Sequence, residues 1–333
     1  MIRMTTIVLL LLMTAACSKK SSTATSSASS GTTPDTTKTF LPTATAAKRM
    51  VIADQSTNRV IIVEPDSNTI VWEWQPATSN VRSQDLAWFG NMSDARPVYN
   101  NQYILATASA GGVALVRIAD KKTVFYGYSG NGNTHSAEIL PDGNIVTASS
   151  TGAYLALFHV DTLHSPATAP LRKITLNDAH NVVWDSVRQR LWSASGGTLY
   201  AFSYNFQCTS PGLTLIDSLA LPATGSHDLY PVYGRDSLWL STSSKVWSID
   251  LKKRTVAAAA SLARVKSVSS GPAGYPTIVL QSIDTDQQWW NNKIITFSGD
   301  VIFLQTGLKA YKARWMLTSN FGQSGGNTVK TCQ

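Results

Sequence analysis

Residues 103–128 read YILATASAGGVALVRIADKKTVFYGY, and this stretch decides the fold. Tyr103 to Ser109 is an apolar run interrupted by small polar residues, Gly111-Gly112 is a turn, and Val113 to Ile118 and Thr123 to Tyr128 are two further apolar runs. Successive side chains of a strand point to opposite faces, so short runs with a period of two, separated by turn residues, predict strands joined as an antiparallel meander.

The same three pieces return with a period of roughly 40 to 50 residues, the interval expected of propeller blades. The first recurs as Val51 to Asp54, Ile145 to Ser149, Leu191 to Ser195, Leu238 to Thr242 and Ile278 to Ser282. The second recurs as Arg59 to Glu64, Tyr154 to Val160, Leu199 to Tyr204, Lys245 to Ile249 and Lys293 to Phe297. The third recurs as Ile70 to Trp74, Leu171 to Leu176, Leu215 to Leu221, Thr255 to Ala260 and Val301 to Gln305. No single copy can bury its own apolar face, and radial stacking of four-stranded sheets leaves the fewest exposed edges. The expectation is an all-β fold, a six-bladed β-propeller. Its first copy lacks an innermost strand, which a spare C-terminal strand, Arg314 to Thr318, would supply. A two-sheet sandwich also suits alternating strands but gives no reason for sixfold repetition.

The chain has 333 residues, 43% hydrophobic and 14% charged, enough for one large core, with a formal charge of +8. That excess favours acidic partners such as anionic saccharides or lipid head groups, yet without clustering it selects none. Met1 to Ala16 joins a basic start (Arg3) to an apolar run, Ile7 to Met13, and ends in Thr14-Ala15-Ala16 before Cys17. This is a secretory leader too short to span a bilayer. It resembles the bacterial lipoprotein processing box, with Thr14 in place of the usual Leu, and the resemblance implies a lipid on Cys17. Ordinary secretion with Cys17 incidental is the alternative. The expected organisation is a signal peptide over 1–16, a lipidated Cys and Ser/Thr-rich linker over 17–47, a propeller over 48–322 and a tail over 323–333. The expected place is the bacterial cell envelope, anchored to the outer membrane. Lys19 and Lys20 stand where surface-exported lipoproteins of Bacteroidetes type carry acidic residues, so the surface and periplasmic faces both stay open. Nucleic acid is not an expected partner of an exported chain. Cys208 and Cys332 make one possible disulfide, which would require the tail to cross a face of the ring.

The blades resemble those of bacterial quinoprotein-like and surface-lipoprotein propellers. Ala53-Asp54-Gln55-Ser56-Thr57-Asn58-Arg59-Val60-Ile61-Ile62-Val63 followed by Val71-Trp72-Glu73-Trp74 looks like six-bladed lipoproteins of Bacteroidetes grouped only as a domain of unknown function. The resemblance covers about Met50 to Asn320 and implies the fold without a chemistry.

Three of the five histidines, His135, His180 and His227, precede the first piece of their copies by ten or eleven residues. That spacing predicts them at the start of innermost strands, on the rim of the central channel. The same register adds Lys266, Arg82 (with an insertion near Gly90 to Tyr99) and Arg314, or Lys312, to make a ring of six basic side chains. Capping of strand ends is the plain structural alternative. The leading functional reading is an anion-binding mouth, with an acidic saccharide as ligand and Trp88, Trp184, Tyr230 and Tyr233 as candidate stacking groups. A second reading is catalysis. Propeller lyases acting on uronic-acid glycans use His, Tyr and Arg in such a channel, which by resemblance implies His135, His180, Tyr230 and Arg82. A third is a divalent metal on the three histidines, and no other cofactor is implied. A fourth is a protein-interaction scaffold using the Gln287 to Asn292 loop, with Trp289 and Trp290. Phosphate-binding loops and CxxC pairs do not occur in the sequence, and Gly325-Gly326, like Gly111-Gly112 and Gly196-Gly197, reads as a turn and not as part of a nucleophile elbow.

Overall fold

The meander of residues 103–128 carries a fourth strand on its channel side. In the computed structural model, which describes residues 47–283, 288–318, 321–322 and 326–331, Met92–Val98 pairs with Tyr103–Ala108, which pairs with Gly112–Arg117 and then Thr123–Tyr128. Six such four-stranded antiparallel sheets form the blades of a propeller. Their innermost strands, blades 1 to 6, are Ala310–Trp315, Met92–Val98, Thr134–Ile139, Val183–Asp185, Asp228–Pro231 and Val265–Ser269.

Ring closure follows the expected logic with a shifted register. The C-terminal strand Ala310–Trp315 joins Met50–Asp54, with Met50 opposite Trp315 and Asp54 opposite Ala310. It starts four residues before the expected Arg314 and ends at Trp315, because its channel-facing positions are polar and hide the strand from a search for apolar runs. Pairing the last strand with the first removes the free edges an open ring would leave.

Apolar side chains fill the space between blades. Blade 1 meets blade 2 through Val60, Ile62, Trp72 and Trp74 against Ile104, Ala114 and Val116, and equivalent clusters occupy the other seams. Trp72 and Trp74, two apart on one strand, both face blade 2, where their indole N–H groups donate to Ile118 O (2.9 Å) and Thr123 Oγ1 (3.1 Å). These two buried indoles therefore lose no hydrogen bond.

The described part of the C-terminal tail crosses the face opposite the histidines. Asn101 Nδ2 donates to Met316 O, Ser186 Oγ to Phe321 O, Asn100 Nδ2 to Asn327 Oδ1 and Lys330 Nζ to Pro141 O. The crossing that a disulfide would need is thus present. Cys208 is disulfide-bonded, while Cys17 and Cys332 lie outside the described residues, as does Gln287.

Candidate functional site

Five of the six innermost strands are entered the same way. The residue two before the rim position is left-handed at Asn91 (φ 57°), Asn133 (55°), Asp178 (54°), Gly225 (70°) and Arg264 (60°), a conformation Asn, Asp and Gly adopt with least strain. The carbonyls of Asn91, Asn133 and Arg264 accept hydrogen bonds from the amides of Ser109, Ser150 and Ser282, so the turn is tied to the second strand of its blade. A β-bulge follows at Ser93, His135, Lys266 and Tyr311. A bulge takes one residue out of alternation and re-aims its side chain, here toward the channel mouth, and His180 and His227 occupy the matching positions in blades 4 and 5. From blade 1 to blade 6 the rim residues are Tyr311, Ser93, His135, His180, His227 and Lys266.

Four of the six expected ring members, His135, His180, His227 and Lys266, are brought together. Arg82 is not. It caps the short 3₁₀ helix Ser83–Phe89 off the channel, its side chain 45% exposed and paired with Asp85 at 2.7 Å. The expected insertion, Gly90 to Tyr99, contains the innermost strand itself, and the helix is the insertion. Counting from the left-handed Asn91 gives Ser93, ten residues before Tyr103, the spacing the histidines keep. Arg314 and Lys312 lie on an innermost strand but below the rim, which in blade 1 belongs to Tyr311.

The mouth encloses a cavity of about 260 Å³ lined by Asn91, Ser109, Asn133, His135, His180, His227, Lys266, Trp289 and Tyr311. The His135 ring stacks on His180 at 4.6 Å and 15° and on Tyr311 at 5.7 Å and 19°, and His227 meets His180 edge-on at 5.0 Å. Small Ser93, buried against Thr107 and Thr134 O, leaves room for Tyr311 and His135 to meet across blade 2. The Tyr311 hydroxyl and His135 Nδ1 are 3.2 Å apart, and Lys266 Nζ lies 2.9 Å from His227 Nε2. His180 Nδ1 faces Asp178 O at 3.1 Å and Asp178 Oδ1 at 3.0 Å.

Beneath this layer the channel is plugged by ions. Arg314 donates from Nη1 and Nη2 to both Asp228 oxygens at 2.7 Å, and Nη2 reaches Asp94 Oδ1 at 3.3 Å. Lys312 Nζ lies 3.2 Å from Asp228, 3.6 Å from Asp94 and 3.1 Å from His135 O, to which it donates. Arg96 donates to Asp94 Oδ2, Glu138 Oε2, Val182 O and Ser136 Oγ. Three cations thus answer three carboxylates.

The two layers titrate differently. Burial would raise the Asp94 and Asp228 carboxyls, but Lys312 and Arg314 hold both below the ordinary carboxylate range. In the mouth, burial pushes His135 well below the usual histidine value, with His180 and Lys312 adding to the shift. His227 falls to about 2 through burial and the Lys266 charge, and burial with Lys312 nearby brings Lys266 down to about 8. His135 and His227 are therefore neutral hydrogen-bonding groups at pH 7, not the cations a basic ring requires. Among the described residues no group of three His, Cys, Asp or Glu side chains is arranged around a metal position. Lys266 already holds His227 Nε2, so a metal on all three histidines would require that ammonium to withdraw.

The remaining candidates lie elsewhere. Tyr230 lies at the opposite end of the channel, under the guanidinium of Arg314 (4.0 Å) and beside Arg96, so it does not join His135 and His180. Trp184 is wholly buried between blades 3 and 4, Trp88 stacks on Tyr128, and Tyr233 is exposed near Phe321. Trp289, 46% exposed, does reach the mouth, from the described residues that lead into the third strand of blade 6, Lys293–Thr296. Trp290 lies beside Lys309. Tyr311 was not among the expected rim residues, since its strand comes from the far end of the chain and no left-handed residue stands two positions before it.

The sequence profile of a family described as "Family of unknown function (DUF6528)" matches residues 2–327. No curated protein matches the chain. Among solved structures, a protein of unknown function from Bacteroides caccae is similar at a TM-score of 0.55 and 14% identity, over 81% of this chain and 98% of that one. A functionally unknown protein from Desulfotomaculum acetoxidans is similar at a TM-score of 0.51 and 12% identity, over 79% and 97% of the two chains. Likeness at these identities establishes the fold alone.

Proposed function

The chain belongs to this family of unknown function, DUF6528, and from that premise we propose that it is an envelope lipoprotein, anchored through Cys17, whose propeller binds an acidic saccharide at the histidine mouth. The observation that carries the reading is Lys266. The residue is 8% exposed and lines the cavity, yet among the described residues no carboxylate pairs with its ammonium. A buried cation without a counter-ion is costly, and an anionic ligand would relieve that cost. Asn91 and Asn133 place amide groups around the cavity for hydroxyls, and Trp289 offers an exposed ring face on which a sugar can stack. The anchor rests on the Thr14-Ala15-Ala16-Cys17 box, and the finer likeness to Bacteroidetes lipoproteins rests on the residues of the first blade.

The test is a thermal-shift series on the mature chain with uronic-acid, sulfated and neutral saccharides at low and moderate salt. The expected result is a salt-sensitive rise in Tm with the anions alone, lost in Lys266→Met. Equal shifts with neutral sugars, or none with any anion, would overturn the reading. For the anchor, Cys17→Ala is expected to move the protein from the detergent phase to the aqueous phase in detergent partitioning.

A further inference from the structure

His180 differs from its two histidine neighbours in what holds it. Its Nδ1 faces two acceptors, Asp178 O and Asp178 Oδ1. Neither can donate, so Nδ1 carries the hydrogen and the lone pair lies on Nε2. The ring lines the cavity, and no described protein atom takes Nε2. His227 cannot serve in the same way, since Lys266 occupies its Nε2 and its Nδ1 is buried. His135 is tied to the Tyr311 hydroxyl through Nδ1. His180 is thus the imidazole whose partners fix its tautomer, with the Nε2 lone pair available to a cavity that also holds an ammonium.

We propose that His180 is a general base that removes the proton α to the carboxylate of a uronic-acid ligand, with Asp178 as its positioning residue. This rests on the anion-binding reading above. Lys266 would pair with the carboxylate and stabilise the charge that develops when the α C–H bond breaks. His180 is the imidazole next to His227, which Lys266 contacts, so base and cation face the same small ligand. Nε2 takes the C5 proton of the uronate, and the electron pair of that C–H bond becomes the C4=C5 double bond. The C4–O bond breaks, and the departing oxygen takes a proton from water or from the Tyr311 hydroxyl. The step consumes no oxidant, reductant or cofactor. Where C4 carries no leaving group, the same base returns the proton and exchanges it with solvent.

The test uses galacturonate, glucuronate and mannuronate trisaccharides with the mature chain in D₂O. Calorimetry reads binding, NMR reads deuterium at C5, and ultraviolet absorbance reads the unsaturated product. The expected result is exchange or elimination by the parent chain. His180→Gln should reduce it by about 10²–10⁴-fold, and Asp178→Asn by about tenfold or more at saturating ligand, with Kd changed by no more than about threefold in either variant. Binding without exchange or elimination in the parent chain, or undiminished rates in His180→Gln, would overturn the base while leaving the anion site standing. Absence of binding to all three trisaccharides would remove both readings.

Discussion

Lys266 and Lys312 stand on neighbouring innermost strands of the same channel, yet one layer of depth separates two electrostatic designs. Lys312 is surrounded by Asp94, Asp228 and the carbonyl of His135, inside a cluster whose three cations and three carboxylates cancel. Lys266 has the imidazole of His227 and no carboxylate among the described residues. The lower layer is complete within the protein and seals the channel. The upper layer holds a surplus of positive charge and hydrogen-bonding nitrogen facing a cavity, which is the arrangement a binding site requires and a structural plug does not.

The largest expected effect comes from breaking the lower layer. Asp228 takes both nitrogens of Arg314 and one contact from Lys312, so Asp228→Asn keeps the shape and strands buried charge. The expected loss is about 3–5 kcal/mol of stability, read by urea unfolding. A loss below about 1 kcal/mol would mean that the two layers do not differ as the contacts indicate.

Acid separates the layers by pH. His135 and His227 have folded-state values below that of an unfolded histidine, so below about pH 6.5 the unfolded chain takes up protons that the folded chain refuses. Stability must therefore fall as pH drops, by about 1.4 kcal/mol per pH unit for each histidine. The Asp94 and Asp228 carboxylates, held low, add their own loss only at more acidic pH. Unfolding free energies at about pH 7 and 5.5 should differ by about 2–4 kcal/mol, and a His135→Gln, His227→Gln double variant should flatten the difference.

The same contrast explains what the sequence could reveal. Blades were legible because Arg59 to Glu64 or Val113 to Ile118 each pack apolar residues against neighbouring sheets, and such packing imposes alternation. The histidines were legible because three blades repeat one residue at one spacing. The plug was not, since Asp228 and Asp94 meet Arg314 across 86 and 220 residues of chain, and no local pattern records a contact of that span. Met92–Val98 reads as a poor strand for the same reason: Asp94 and Arg96 are satisfied by other blades. Arg82 carries the charge but not the backbone of a rim residue, which is a left-handed residue followed by a bulge. Asn91 before Met92-Ser93 repeats Asn133 before Thr134-His135, and it is the signal that places Ser93.

Smaller changes sharpen the upper layer. Replacing Lys266 by Met removes a buried cation whose protonation is already disfavoured, and is expected to raise stability at pH 7 by about 1–3 kcal/mol while abolishing anion binding. In the parent chain the unfolded lysine keeps its proton up to a pH of about 10.5 and the folded one only to about 8, so stability should climb with pH across that interval and anion affinity should fall. The Lys266→Met variant should show neither trend. Tyr311→Phe removes one hydroxyl from His135 Nδ1 and keeps the ring stack, for an expected loss of about 0.5–1.5 kcal/mol. Because the Tyr311 hydroxyl is held by His135 and Lys266 by His227, Tyr311→Phe should leave anion affinity nearly unchanged. An affinity loss as large as that of Lys266→Met would show that the row binds as one unit and that the surplus charge does not act alone.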